Sequence, residues 1–126
     1  ILKKGAKIHE ALIEEVKRAN LKGIAFSGIG ALRNPMVGFF DEETKKYVEK
    51  RFDGLYELLS LHGNVAKADD KWLAHIHVTL GNEEYHALGG HVISAEVGIT
   101  VELLVTPLEK TPIRTFDQET GLKLIQ

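Results

Sequence analysis

The 126-residue chain contains no cysteine. That excludes disulfides and thiolate–metal sites, so any metal must be held by histidine, aspartate or glutamate. A reducing cytoplasm is the expected compartment. No apolar run is long enough to span a bilayer, and no charged-then-apolar signal segment opens the chain. Positive charge is not in excess. With 16 Lys and Arg against 18 Asp and Glu, the net charge is −2, which argues against a basic nucleic-acid footprint. No repeat, low-complexity segment or linker interrupts the sequence. Hydrophobic content of 44% and charged content of 27% are those of an ordinary globular protein. The length suits one domain with one modest core, residues 1–126. The chain begins at Ile1 rather than methionine, which leaves room for residues upstream.

What stands out instead is histidine. His75-Ile76-His77 opens a run of strand-type residues, and His91 follows His77 by fourteen positions, after Gly89-Gly90. Alternate side chains of a strand share a face, so His75 and His77 point the same way. If the chain folds back as a hairpin centred near Glu84, His91 lies opposite His77 on that face. A slip of one residue would turn His91 away. In the expected register, three imidazoles converge on one point, a familiar zinc shell with a fourth position open. His75, His77 and His91 are therefore the candidate metal ligands, with zinc the expected ion. His9 falls on a helix, and His62 and His86 in or beside loops, where they are expected to be surface or cap residues. The loop at 81–88 makes His86 the one to watch.

The remaining pattern predicts one helix and many strands. Ile8, Leu12 and Val16 recur at four-residue spacing over Lys7 to Ala19, an amphipathic helix with a core-facing stripe. Asn20 and Gly23 are its expected stops. Strands are predicted over 23–32, 36–40, 47–52, 55–61, 72–80 and 91–105, and a last hairpin over 111–126 with its turn at 117–121. Asp53-Gly54 reads as a hairpin turn, and Gly63-Asn64 reads as a strand end. Gly28-Ile29-Gly30 invites a phosphate-loop reading. No third glycine or following helix supports it, so a strand with a bulge is expected. Asp69 and Asp70 read as a solvated turn. The order predicts an α+β fold, mainly antiparallel sheet with a flanking N-terminal helix.

Four ordered segments then carry a family resemblance: Ser27 to Leu32, Gly54 to Asn64, His75 to Gly81, and Gly89 to His91. Together they resemble the PPC domain, the plant-and-prokaryote-conserved domain, over nearly the whole chain. The resemblance implies an antiparallel sheet with a flanking helix, assembled as a homotrimer. It implies a DNA-associated regulatory role in plant members, which join the domain to an AT-hook. In stand-alone prokaryotic members it implies a histidine cluster able to hold a metal, here His75, His77 and His91. Two departures matter. No Arg-Gly-Arg-Pro AT-hook occurs in these residues, so DNA binding is expected to be weak. The Gly-Arg-Phe-Glu-Ile-Leu segment of plant members reads Gly54-Leu55-Tyr56-Glu57-Leu58-Leu59, so Leu55 replaces the arginine. That leaves the plant partner role uncarried and makes Leu55 a candidate buried or interface residue.

Two functions compete. One is a trimeric DNA-associated or regulatory interaction protein, in which a trimer can concentrate Lys3, Lys4, Lys7, Lys17, Arg18 and Lys22 on one face. The other is a metal-dependent small-molecule binder or enzyme, with Glu83, Glu84 or Glu102 as a base. No nucleophile–base pair and no cofactor motif is visible, so no catalytic residue is assigned and the balance leans away from an enzyme. A purely structural metal is a third reading.

Overall fold

The computed structural model describes all 126 residues. Nine elements follow in order: β1 (Leu2–Lys3), α1 (Ile8–Arg18), β2 (Ile24–Asp41), β3 (Lys46–Arg51), β4 (Leu55–Ala68), β5 (Lys71–Gly81), β6 (Ala87–Pro107), β7 (Ile113–Phe116) and β8 (Lys123–Ile125). The strands form one sheet in the order β3-β2-β6-β5-β4-β7-β8, with β1 on β6. A further pairing of β2 with β4 closes β2, β6, β5 and β4 into a ring. Closure removes the edges that four open strands would expose. All pairings are antiparallel except β4 with β7. The α+β fold is as expected from the order of helix and strands.

The helix forms where its apolar spacing predicts. Ile8, Leu12 and Val16 are its buried residues, while Glu10 opens it and Lys17 and Arg18 close it, in keeping with the macrodipole. Their stripe joins a core that includes Ile24, Leu61, Val65, Ile76, Leu80, Val92 and Val97. On β5 the alternation is strict: Ala74, Ile76, Val78 and Leu80 are buried, whereas Leu73, His77 and Thr79 are exposed and His75 is half-buried. The core takes one face of this strand, and both of its histidines fall on the other.

Three sequence expectations need correction. The predicted strands 23–32 and 36–40 are one strand, β2. Asn34 and Pro35 sit within it where the β2–β6 register shifts between Arg33 and Met36, so the missing proline N–H costs no regular ladder bond. Asn34 adopts a left-handed conformation (φ 47°), and its Oδ1 accepts a hydrogen bond from Gly54 N at 2.8 Å. Next, β4 does not stop at Gly63-Asn64 but runs on to Ala68. A side chain at Gly63 would collide with the His75 carbonyl and the Phe26 ring. Glycine is there for a close approach within the sheet, not to end it. His62 is consequently a mid-strand residue, paired with His77 across β4 and β5. Finally, β5 and β6 both run longer than predicted, and β1, at two residues, is too short to carry an alternation signal. The Gly28–Gly30 stretch behaves as expected, with a register shift against β4 between the two glycines.

Candidate metal centre

The β5–β6 hairpin sets the geometry. Its register pairs His77 with His91, Val78 with Gly90, Thr79 with Gly89, Leu80 with Leu88 and Gly81 with Ala87. Glu84 is thus the midpoint of the turn. The turn is held by Asn82, whose Oδ1 accepts from Glu84 N at 3.1 Å and His86 N at 2.8 Å. Gly89 permits the tight crossing, because a side chain there would strike the Val78 carbonyl. The β5–β6 ladder ends at His77–His91, while β5 continues against β4 and β6 against β2. His75 lies just beyond this parting point.

The three imidazoles meet there. One ring nitrogen from each of His75, His77 and His91 lies within 4.8 Å of the other two. Ring centroids are 5.0 Å apart for His75–His77, 5.0 Å for His75–His91 and 5.5 Å for His77–His91. A tetrahedral zinc shell with bonds of about 2.0 Å places its nitrogens about 3.3 Å apart. Small side-chain rotations close that difference. His91 Nδ1 is buried and has no hydrogen-bond partner, an unusual state for a ring nitrogen. Burial, then the neighbouring His75 and His77, push His91 down to about 4. Burial, then Arg114 and His77, hold His75 below its ordinary value. Both therefore keep their lone pairs at neutral pH, which is the form that binds metal. This donor set fits a divalent transition metal.

The surroundings contain residues that sequence reasoning missed. Tyr47 of β3 stacks on His91, with ring centroids 4.5 Å apart and planes 21° from parallel. It reaches His91 across Gly38, which pairs with His91 and whose bare Cα leaves space for the tyrosine ring. Arg114 of β7 is buried, and its Nη2 lies 3.3 Å from His75 Nδ1 and donates to Asn64 Oδ1 at 2.8 Å. His9 of α1 is half-buried rather than a surface residue, and it joins Tyr47, His75, His91 and Arg114 around one cavity of about 380 Å³. No local pattern flags Arg114 or Tyr47. For His9, its place one residue from Ile8 and four before Ile13 was the available hint.

The other candidates lie apart. His86 is exposed at the hairpin tip, 3.4 Å from Glu84. His62 faces the groove around Ile29, Leu59 and Leu104. Glu83 and Glu84 are exposed at the tip, Glu102 pairs with Ile29, and the histidine group includes no carboxylate. Asp69 pairs with Lys123, and Asp70 completes the turn. Leu55 is 41% exposed, so it is not a core residue.

The histidine titrations give a testable consequence. An unfolded histidine takes up its proton as pH falls through about 6.5, whereas folded His91 resists until about 4. Its folded value is the lower one, so its contribution to stability is present above pH 6.5 and lost as pH falls towards 4. Metal-free protein should melt at progressively lower temperature across that window. His91→Asn should flatten the decline, and an unchanged profile in the variant would contradict a buried, neutral His91.

Fold and site together define an α+β protein, a closed antiparallel sheet ring with one flanking helix and a three-histidine candidate metal centre. The chain belongs to the Plants and Prokaryotes Conserved (PCC) domain family, whose model matches residues 1–109. Among solved structures, it is similar to a plant- and prokaryote-conserved (PPC) protein of Pyrococcus horikoshii. That match has 33% identity and a TM-score of 0.91 over 99% of this chain and 87% of that one. A metal-containing protein of Archaeoglobus fulgidus is 36% identical, with a TM-score of 0.89 over 99% of this chain and 89% of that one. A Bacteroides thetaiotaomicron protein described as a "putative dna binding protein" is 29% identical, with a TM-score of 0.92 over 99% and 87%. No curated protein matches the chain. No helix is long and apolar enough to cross a membrane.

Proposed function

We propose that this chain is a metal-binding PCC-domain protein of the cytoplasm, in which His75, His77 and His91 hold one zinc ion. The convergence of three imidazoles at the parting of β5 and β6 carries this reading. Zinc suits an all-imidazole shell without redox demands. The metal-containing relative from Archaeoglobus fulgidus supports it. Elemental analysis after dialysis against zinc should give one ion per chain, and none in the His75→Ala/His77→Ala double variant. Protein that emerges metal-free would overturn the assignment.

All 126 residues act as one domain in this reading, and three chains assemble. The groove lined by Ile29, Leu59, Leu103 and Leu104 supports assembly, because Ile29, Leu59 and Leu104 are 57%, 53% and 73% exposed. Exposed apolar strand faces of this kind are covered between subunits in oligomers. Sedimentation at micromolar concentration should give about three chain masses, and Leu104→Asp should shift it towards one. A monomeric wild type would contradict the trimer.

The trimer serves as a regulatory scaffold associated with DNA through other factors, with little DNA affinity of its own. A net charge of −2 supplies few phosphate contacts. At about physiological salt, short AT-rich duplex should bind no tighter than micromolar. A nanomolar complex would overturn this part of the reading. A second reading, a metal-dependent small-molecule binder, is favoured by the cavity of about 380 Å³ that adjoins His75 and His91.

A further inference from the structure

Arg114 presents an unmet electrostatic demand. It is 6% exposed, yet none of the four ion pairs in the molecule involves it. Its contacts are all neutral: Nη1 donates to the Lys123 carbonyl at 3.2 Å, and Nη2 reaches Asn64 Oδ1 and His75 Nδ1. Its Nε is buried with no partner at all. A buried guanidinium without a counter-charge is costly, and an unmade hydrogen bond adds to that cost. The side chain lines the cavity shared by His75, His91 and Tyr47.

We propose that this cavity is an oxyanion site, in which Arg114 turns its guanidinium towards the cavity and receives the head group of a small organic acid through Nε and Nη2. Those two nitrogens share one edge of the guanidinium, the edge that grips a carboxylate or phosphate with two parallel hydrogen bonds. Leu73, Ile93, Leu122 and Leu124 line part of the remaining wall, beside the polar His9 and Lys123, and accept a short hydrocarbon body. The volume of about 380 Å³ admits such a ligand with room to spare.

The site is coupled to the metal, a feature that rests on the zinc reading above. Arginine only donates hydrogen bonds, so His75 Nδ1 must accept from Arg114 in the metal-free protein. A neutral His75 that ligates through Nδ1 gives up the lone pair that accepts this bond. One that ligates through Nε2 carries its proton on Nδ1, which then opposes another donor. On either route zinc releases Arg114 from His75 and frees a hydrogen of Nη2, leaving the guanidinium free to turn to the oxyanion. Zinc and oxyanion should therefore tighten each other's binding, by equal factors.

Calorimetric titration with isobutyrate, acetate and inorganic phosphate, on metal-free and zinc-loaded protein, tests this. Isobutyrate should bind several-fold tighter than acetate, and tighter with zinc than without. Arg114→Gln should weaken isobutyrate at least tenfold while zinc stoichiometry stays at one. Phosphate that binds as tightly as isobutyrate, and is lost in Arg114→Gln, identifies the same oxyanion grip without the hydrocarbon preference, and overturns the organic-acid assignment. Isobutyrate binding equal in wild type and Arg114→Gln overturns the site and leaves the metal centre standing. Should Arg114→Gln not fold, the Arg114 Nε–H resonance of wild type reports directly. It should shift on adding isobutyrate, and an unmoved resonance overturns the proposal. A shift in protein that takes up no zinc supports the oxyanion site while the metal reading falls alone.

Discussion

Replacing His77 with alanine should weaken zinc binding by more than about 100-fold. Substituting residues that merely orient a metal ligand costs about 10–100-fold, and losing a ligand outright exceeds that. His77 is the informative choice for two reasons. It sits between the other two ligands, next-but-one to His75 on β5 and paired with His91 on β6. It is also exposed on the face of β5 opposite the core, so its loss should leave the fold intact. Competition against a chromophoric chelator measures the change. Unaltered affinity in a folded His77→Ala protein would mean that the ion, if bound, sits elsewhere.

Zinc should raise the melting temperature by about 10–20 °C at saturating concentration. A ligand that binds only the folded chain stabilises it by about 4 kcal/mol when present at about a thousand times its dissociation constant. For a domain of this length, each kcal/mol moves the midpoint by about 3–5 °C. The unfolded chain keeps the three histidines but not the hairpin that brings His91 to His77, so it competes weakly. Thermal scans at one fixed protein concentration, with zinc and with chelator, should show the shift in wild type. The shift should vanish in the His75→Ala/His77→Ala variant. Equal melting with zinc and with chelator would contradict the centre.

The two strands that bear the histidines were legible because their information is local. Period-2 alternation puts His75 and His77 on one face, and burial of Ala74, Ile76, Val78 and Leu80 enforces it. The position of His91 followed from a turn centred on Glu84, which Asn82 stabilises by capping two backbone N–H groups. A register slip would have driven Val78 and Leu80 out of the core, which is why the hydrophobic pattern pins it. Gly63-Asn64 misled because glycine marks both turns and close approaches, and only the neighbouring strand shows which applies. Arg114 and Tyr47 were invisible for a different reason. They arrive through the parallel β4–β7 pairing and across Gly38, contacts between segments far apart in the chain that leave no periodic trace. Residues 110–126 carry Arg114 and lie beyond the family match, so the family pattern does not reach this part of the site either.

X-ray absorption at the zinc edge of reconstituted protein reads the three-histidine shell itself. Three imidazole nitrogens at about 2.0 Å, with the outer-ring scattering that identifies histidine, plus one oxygen ligand in the fourth position, is the predicted spectrum. A shell of oxygens without imidazole scattering would mean that His75, His77 and His91 do not hold the ion.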